Sequence, residues 1–97
     1  MNNIDMFIEW YIGQINPRTG RHYAKRSART FVVFINRLVR AGLVGENILD
    51  VGAAQFMRQI NRAQNQHPAE FAALENHGNL KNGIKWWKSF LDARANW

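Results

Sequence analysis

Apolar side chains return every three or four residues along this chain, and that spacing restricts it to helices. Ile4, Phe7, Ile8, Tyr11, Ile12 and Ile15 stand at i, i+3, i+4, i+7, i+8 and i+11, one stripe of a helical surface. Ala28, Phe31, Val32, Ile35, Leu38 and Val39 repeat the pattern, as do Ala53, Phe56, Met57 and Ile60. Leu80, Ile84, Trp87 and Leu91 do so again, with Phe90 beside them. No segment alternates with the period of two that a half-buried strand requires. The fold class is therefore all-α, a compact bundle of four to five helices joined by short loops.

Proline, glycine and capping residues divide the pattern. The first helix covers Ile4 to Ile15 and stops at Asn16-Pro17, because proline disfavours helical geometry in its predecessor. Gly20 extends the break into a basic loop through Arg18 and Arg21. A long second helix runs from about His22 to Ala41, with Gly42 as a left-handed cap. After a turn at Leu43 to Asn47, Asp50 caps a third helix to about Gln64, whose polar end, Asn61 to Gln66, is expected to fray. His67-Pro68 opens a short fourth helix to about Asn76, anchored by Phe71 and Leu74 and ended by His77-Gly78. Asn79 caps the last helix, Leu80 to about Ala95. With 97 residues there is apolar surface for one core, hence a single domain over residues 1–97.

Hydrophobic residues make up 46% and charged residues 21%, far from the composition of disordered chains. There is no cysteine, so neither a disulfide framework nor a thiolate zinc site is available, which suits a reducing cytoplasm. The longest apolar run, Phe31 to Ile35, falls far short of the ~20 residues that span a bilayer. No membrane partner is expected. Asp5 and Glu9 stand where a targeting leader would be basic.

Catalytic raw material is sparse. Serine occurs only at Ser27 and Ser89, and His22, His67 and His77 lack the i, i+4 spacing of a helical metal pair. The carboxylates are spread along the chain, and the glycines sit singly at helix ends or turns, apart from Gly42 and Gly45 in one turn, instead of forming a phosphate loop. No catalytic residue, metal or cofactor is assigned. An enzyme would need His67 or His77 brought to Asp50, Glu70 or Glu75 in one pocket.

The charge pattern is more informative. A net charge of +6 favours a polyanionic partner. From Arg18 to Arg40 there are seven basic residues and no acidic one: Arg18, Arg21, Lys25, Arg26, Arg29, Arg37 and Arg40. At about 100° per residue, Arg26, Arg29, Arg37 and Arg40 share a stripe about 80° wide, opposite the apolar set. A solvated helix ordinarily mixes signs to gain i, i+4 pairs, and this face gives that up. Arginine also suits phosphate forks and guanine edges. On the last helix Lys81, Lys85 and Lys88 lie opposite the apolar residues, with Asp92 on the same face as a partial neutraliser. Two basic helices could straddle a groove of duplex DNA, and these ten residues are the candidate contacts. The plainer alternative is a solvated basic face.

Of the four tryptophans, Trp87 belongs to the core, Trp86 projects to the edge of the apolar arc, Trp10 lies off the centre of the first stripe, and Trp97 is the last residue. An edge tryptophan packs under a loop or the short helix, stacks on a base, or meets a partner.

Ser27-x-x-Thr30-x-x-x-Phe34-x-x-x-Leu38 resembles the second-helix signature of the SAM-like, core-binding N-terminal domain of tyrosine recombinases and phage integrases. Ile48 to Ile60 looks like the connector and third helix of that domain, and Gly83 to Leu91 is similar to its closing helix. The resemblance covers nearly the whole chain. It implies a four-helix core that clamps duplex DNA with the second and last helices, in a bacterial or phage-encoded cytoplasmic protein, for DNA recombination or integration. An N-terminal methionine followed at once by a helix suits such a domain.

Two features depart from that pattern. The stretch from Arg62 to Asn79 is longer than the usual link, and Pro68 to Asn76 reads as an added helix. In this respect Phe71-x-x-x-x-Asn76, followed by Asn79 and the Trp-x-x-Phe-Leu helix, resembles a related module at the N-termini of restriction and nuclease-associated bacterial proteins. The Arg, His and Tyr constellation of a recombinase is missing, so any catalytic domain would lie beyond Trp97. The expectation is a non-catalytic duplex-DNA-binding module. The alternative is a protein-interaction or self-association module.

Overall fold

In a computed structural model that describes residues 2–97, the chain forms five helices and no strand among the described residues. Helix α1 (Asn3–Ile12) is opened by Asn2, whose side chain accepts from the Asp5 amide at 2.8 Å. Helix α2 (Lys25–Arg40) closes in a left-handed turn at Gly42, φ +74°. There Leu43 N–H donates to Leu38 and Gly42 N–H to Val39, satisfying carbonyls that the helix end would leave free. Helices α3 (Ala53–Gln66), α4 (Pro68–Ala73) and α5 (Asn79–Arg94) complete the bundle.

Helix α4 ends at Ala73, short of the expected Asn76, and four other boundaries differ from the sequence expectation because a tertiary or loop contact takes over a group that the helix would use. Helix α1 stops at Ile12, so Ile15 is outside it and 57% exposed. Ile15 instead pairs with His22 in an isolated antiparallel bridge, and Asn16 N–H and Tyr23 N–H donate to Arg21 and Gln14. The same bridge holds His22 and Tyr23 extended, and α2 begins only at Lys25. Asp50 is taken up in a turn, its N–H bonded to Asn47, and Gly52 caps α3. Asn79 is the first residue of α5 and not its cap. The capping is done by Glu75, whose carboxylate accepts from the amides of Asn76, Leu80 and Lys81, each at 2.8 Å. The polar end of α3 does not fray; it stays helical through Gln66.

The core is one cluster built on α2 and α5. Ile35, Leu38, Phe56, Leu80, Trp87, Phe90 and Phe7 are fully buried within it. Helices α2 and α5 approach closely at Gly83, where a Cβ would lie 3.1 Å from the Phe31 carbonyl oxygen. Helix α1 packs across both, and Phe7 meets Trp87 and Phe90 with ring centroids 4.9 and 5.6 Å apart. Helix α3 packs on α5, and α4 packs on α3 with no buried residue of its own. Phe71 and Leu74 are half-buried, as is Ile84 on α5. Ile48, between α2 and α3, is fully buried and draws that connection onto the core. No helix of the described residues is long and apolar enough to cross a membrane.

Candidate nucleic-acid interface

Helix α2 presents its basic residues as the 3.6-residue period requires. Ala28, Phe31, Val32, Phe34, Ile35 and Leu38 face inward, while Lys25, Arg26, Arg29, Arg37 and Arg40 are exposed. Among the described residues none of these five forms an ion pair. No side chain caps α2 and no acidic residue stands in its first turn, so Lys25 and Arg26 add positive charge to the positive end of the helix dipole. In the last turn Arg37 and Arg40 complement the dipole. The Arg37 guanidinium sits 4.3 Å over the ring of Phe34, which holds its stem on the helix surface. Val33 lies in the middle of the arginine stripe and is 49% exposed.

The surroundings of the stripe are uneven. At its N-terminal end Lys25 and Arg29 border a groove shared with Asp5 and Glu9 of α1, which lowers the positive potential there. Arg18 and Arg21 are exposed on the hairpin-like loop between α1 and α2, and their backbone N–H groups donate to the Asn16 and Thr19 side chains. The loop therefore holds both arginines on an ordered turn beside the start of α2.

The three lysines of α5 are exposed, but each has a local partner. Lys81 lies beside Glu75, Lys85 is 5.6 Å from the centre of the Trp86 ring, and Lys88 pairs with Asp92 at 2.6 Å. The neutralisation anticipated from Asp92 is thus a direct ion pair. Burial pushes the Glu75 carboxyl up, but the amides of Leu80, Lys81 and Asn76 and the charge of Lys81 outweigh it and hold it below the usual carboxylate range.

Two basic residues of α3 lie outside the sequence-derived set. Arg58 and Arg62 are exposed on α3, opposite Phe56 and Ile60. Their i, i+4 spacing carried the signal, because the angular argument used for α2 applies equally to α3.

Trp86 is packed edge-on against Trp10, Tyr11 and Tyr23, at 5.9, 5.1 and 5.0 Å. It lies under the segment entering α2, one of the placements open to an edge tryptophan, and α4 takes no part. Trp97 is 68% exposed, meets Phe90 edge-on at 6.0 Å and borders a groove with Met6, Glu9 and Trp10. Tyr11 is buried and stacked on Tyr23; burial and then its neighbour Tyr23 raise its phenol above the ordinary value, the opposite of nucleophile activation. His67 faces Glu70 at 3.9 Å with both side chains half-exposed or more. The groove that holds His67 contains no carboxylate, and the groove that holds Glu75 contains no histidine. Among the described residues no group of three or more His, Asp or Glu is placed to hold a metal ion.

The arrangement is a basic surface whose acidic neighbours, Asp5 and Glu9, lie at the N-terminal end of α2. No protein-family model matches the chain, and no curated protein or solved structure matches it either.

Proposed function

We propose that this chain is a duplex-DNA-binding module that positions DNA through the arginine face of α2. The observation that carries the reading is the set Arg26, Arg29, Arg37 and Arg40: four exposed guanidiniums on one face, none in an ion pair among the described residues. A stability role for these charges would use i, i+4 partners, and α2 has no carboxylate to supply them. Guanidinium forks match phosphate oxygens and the guanine edge, and a helix of this width enters the major groove. Arg18 and Arg21 extend the contact from the loop, and Lys25 from the start of α2. Lys81 and Lys85 are secondary contacts, and Lys88 contributes less because Asp92 already neutralises it. The motif resemblance to the core-binding domain of tyrosine recombinases suggests the setting, DNA held for recombination or integration by a catalytic domain elsewhere.

The test is a fluorescence-anisotropy titration with a duplex of about 20 base pairs between roughly 50 and 200 mM salt. Phosphate neutralisation predicts a linear fall of log affinity with log salt, about 0.9 per phosphate contacted. Charge reversal of Arg29 and Arg37 should weaken binding and flatten that slope while the circular-dichroism melt stays cooperative. Absence of duplex binding at low salt would sink the proposal, and a concentration-dependent dimer in its place would support self-association.

A further inference from the structure

Helix α2 ends at Arg40, and the chain just beyond it, from Gly42 to Asn47, forms one wall of a groove whose other wall is α3. The groove encloses 570 Å³, and its charged side chains are Arg58 and Arg62, with His67 at its end. No carboxylate lines it. Glu46 stands on the same loop but outside the lining, and Glu70 meets His67 at 3.9 Å.

The walls are held in place before any ligand arrives. Gln59 Oε1 accepts from the Gly45 amide at 2.7 Å and its Nε2 donates to Asn47 Oδ1 at 3.3 Å, which pins the loop to α3. Gln55 Oε1 accepts from the Arg58 guanidinium at 2.7 Å and orients it. Arg62 has no ion-pair partner among the described residues. Two guanidiniums one helical turn apart are separated by about 6 Å along α3. A duplex strand carries one phosphate per about 3.4 Å of axis, so the pair spans about two neighbouring phosphates.

Position favours the same partner as α2. The basic stripe meets acidic neighbours, Asp5 and Glu9, at its N-terminal end, whereas at its C-terminal end Arg37 and Arg40 lead within two residues into the groove wall at Gly42. We infer that the α3 groove is a second backbone site, in which Arg58 and Arg62 neutralise adjacent phosphates of the duplex that α2 engages. The inference rests on the DNA-binding reading above and shifts the centre of the interface from the α2 and α5 pair to α2 and α3.

The experiment compares the salt dependence of duplex binding for the wild type, Arg58→Gln/Arg62→Gln, Arg58→Lys/Arg62→Lys and Arg37→Gln/Arg40→Gln, with thermal melts as a folding control. Loss of two phosphate contacts should reduce the slope of log affinity against log salt by about 1.8, and the lysine pair should restore it. If the glutamine pair on α3 keeps the wild-type slope and affinity while the α2 pair loses both, the groove is not a backbone site and the α2 reading stands. If the wild type binds no duplex at any salt, the α2 reading and this one fall together.

Discussion

A Cβ on Gly83 would lie 3.1 Å from the carbonyl oxygen of Phe31 and 3.2 Å from its Cα, so the backbones of α2 and α5 touch at this pair. The neighbouring atoms are the Phe31 backbone and its Cβ, which cannot swing away as a side-chain tip would. Gly83→Ala gains up to about 1 kcal/mol of helix propensity but overpacks the crossing, typically by about 1 to 3 kcal/mol. The net expectation is a loss of about 1 kcal/mol, a drop in Tm of roughly 4 to 8 °C for a domain this size. Gly83→Leu should lose far more. A melt of Gly83→Ala at or above the wild-type Tm would show that the two helices separate freely.

Glu9 borders the groove that holds Lys25 and Arg29. Removing its charge with Glu9→Gln leaves the exposed face of α1 otherwise unchanged and raises the local positive potential. Duplex affinity at low salt should rise roughly two- to threefold, the scale of an exposed ion pair, and the gain should vanish at high salt. Unaltered affinity would place the DNA away from the N-terminal half of α2.

The Glu75 cap makes stability depend on pH in a defined direction. Its folded carboxyl titrates below the usual range, so its contribution is fully present above the unfolded value and is lost as pH falls through the folded one. At pH 7, Glu75→Ala should cost about 1 kcal/mol, typical of a lost helix cap. On acidification the Tm gap between the wild type and Glu75→Ala should close. Glu75→Gln retains acceptor geometry and should show a smaller loss. A gap that stays constant down to the acid limit would refute the capping role.

Ile48 lies in a short connection yet is fully buried. Ile48→Ala should cost about 2 to 5 kcal/mol, as a buried aliphatic truncation does, and chemical denaturation would read it directly. A loss near 0.5 kcal/mol would mean that the connection closes over the cavity.

Helix identity and the inward faces were legible because they are local. The 3.6-residue period places Phe31, Ile35 and Leu38 on one side of α2 and Arg26, Arg29, Arg37 and Arg40 on the other, whatever that helix packs against. Gly42 was legible for the same reason, since a left-handed helix end is a property of one residue. Ile15 was misplaced although its spacing is helical. Periodicity does not register that its backbone pairs with His22 across the loop, nor that Pro17 commits the chain to turn back. Phe34 lies at the margin of the angular arc, and only the neighbouring helices bury it.

The candidate site divides along the same line. Spacing alone produced the one-signed arginine face of α2 and the lysine stripe of α5, because charge sign and helical angle are read residue by residue. Which of those charges remain free was settled by packing. Asp5 and Glu9 share a groove with Lys25 and Arg29 only because α1 lies along α2, and Glu75 reaches the Lys81 amide only because the α4–α5 turn folds back. Arg58 and Arg62 line a groove with residues 42–45 and 47 only because the loop after α2 is pinned against α3 by Gln59. Electrostatic neighbours depend on distances between segments far apart in the chain, and those distances exist only once the core around Trp87 and Phe56 has closed.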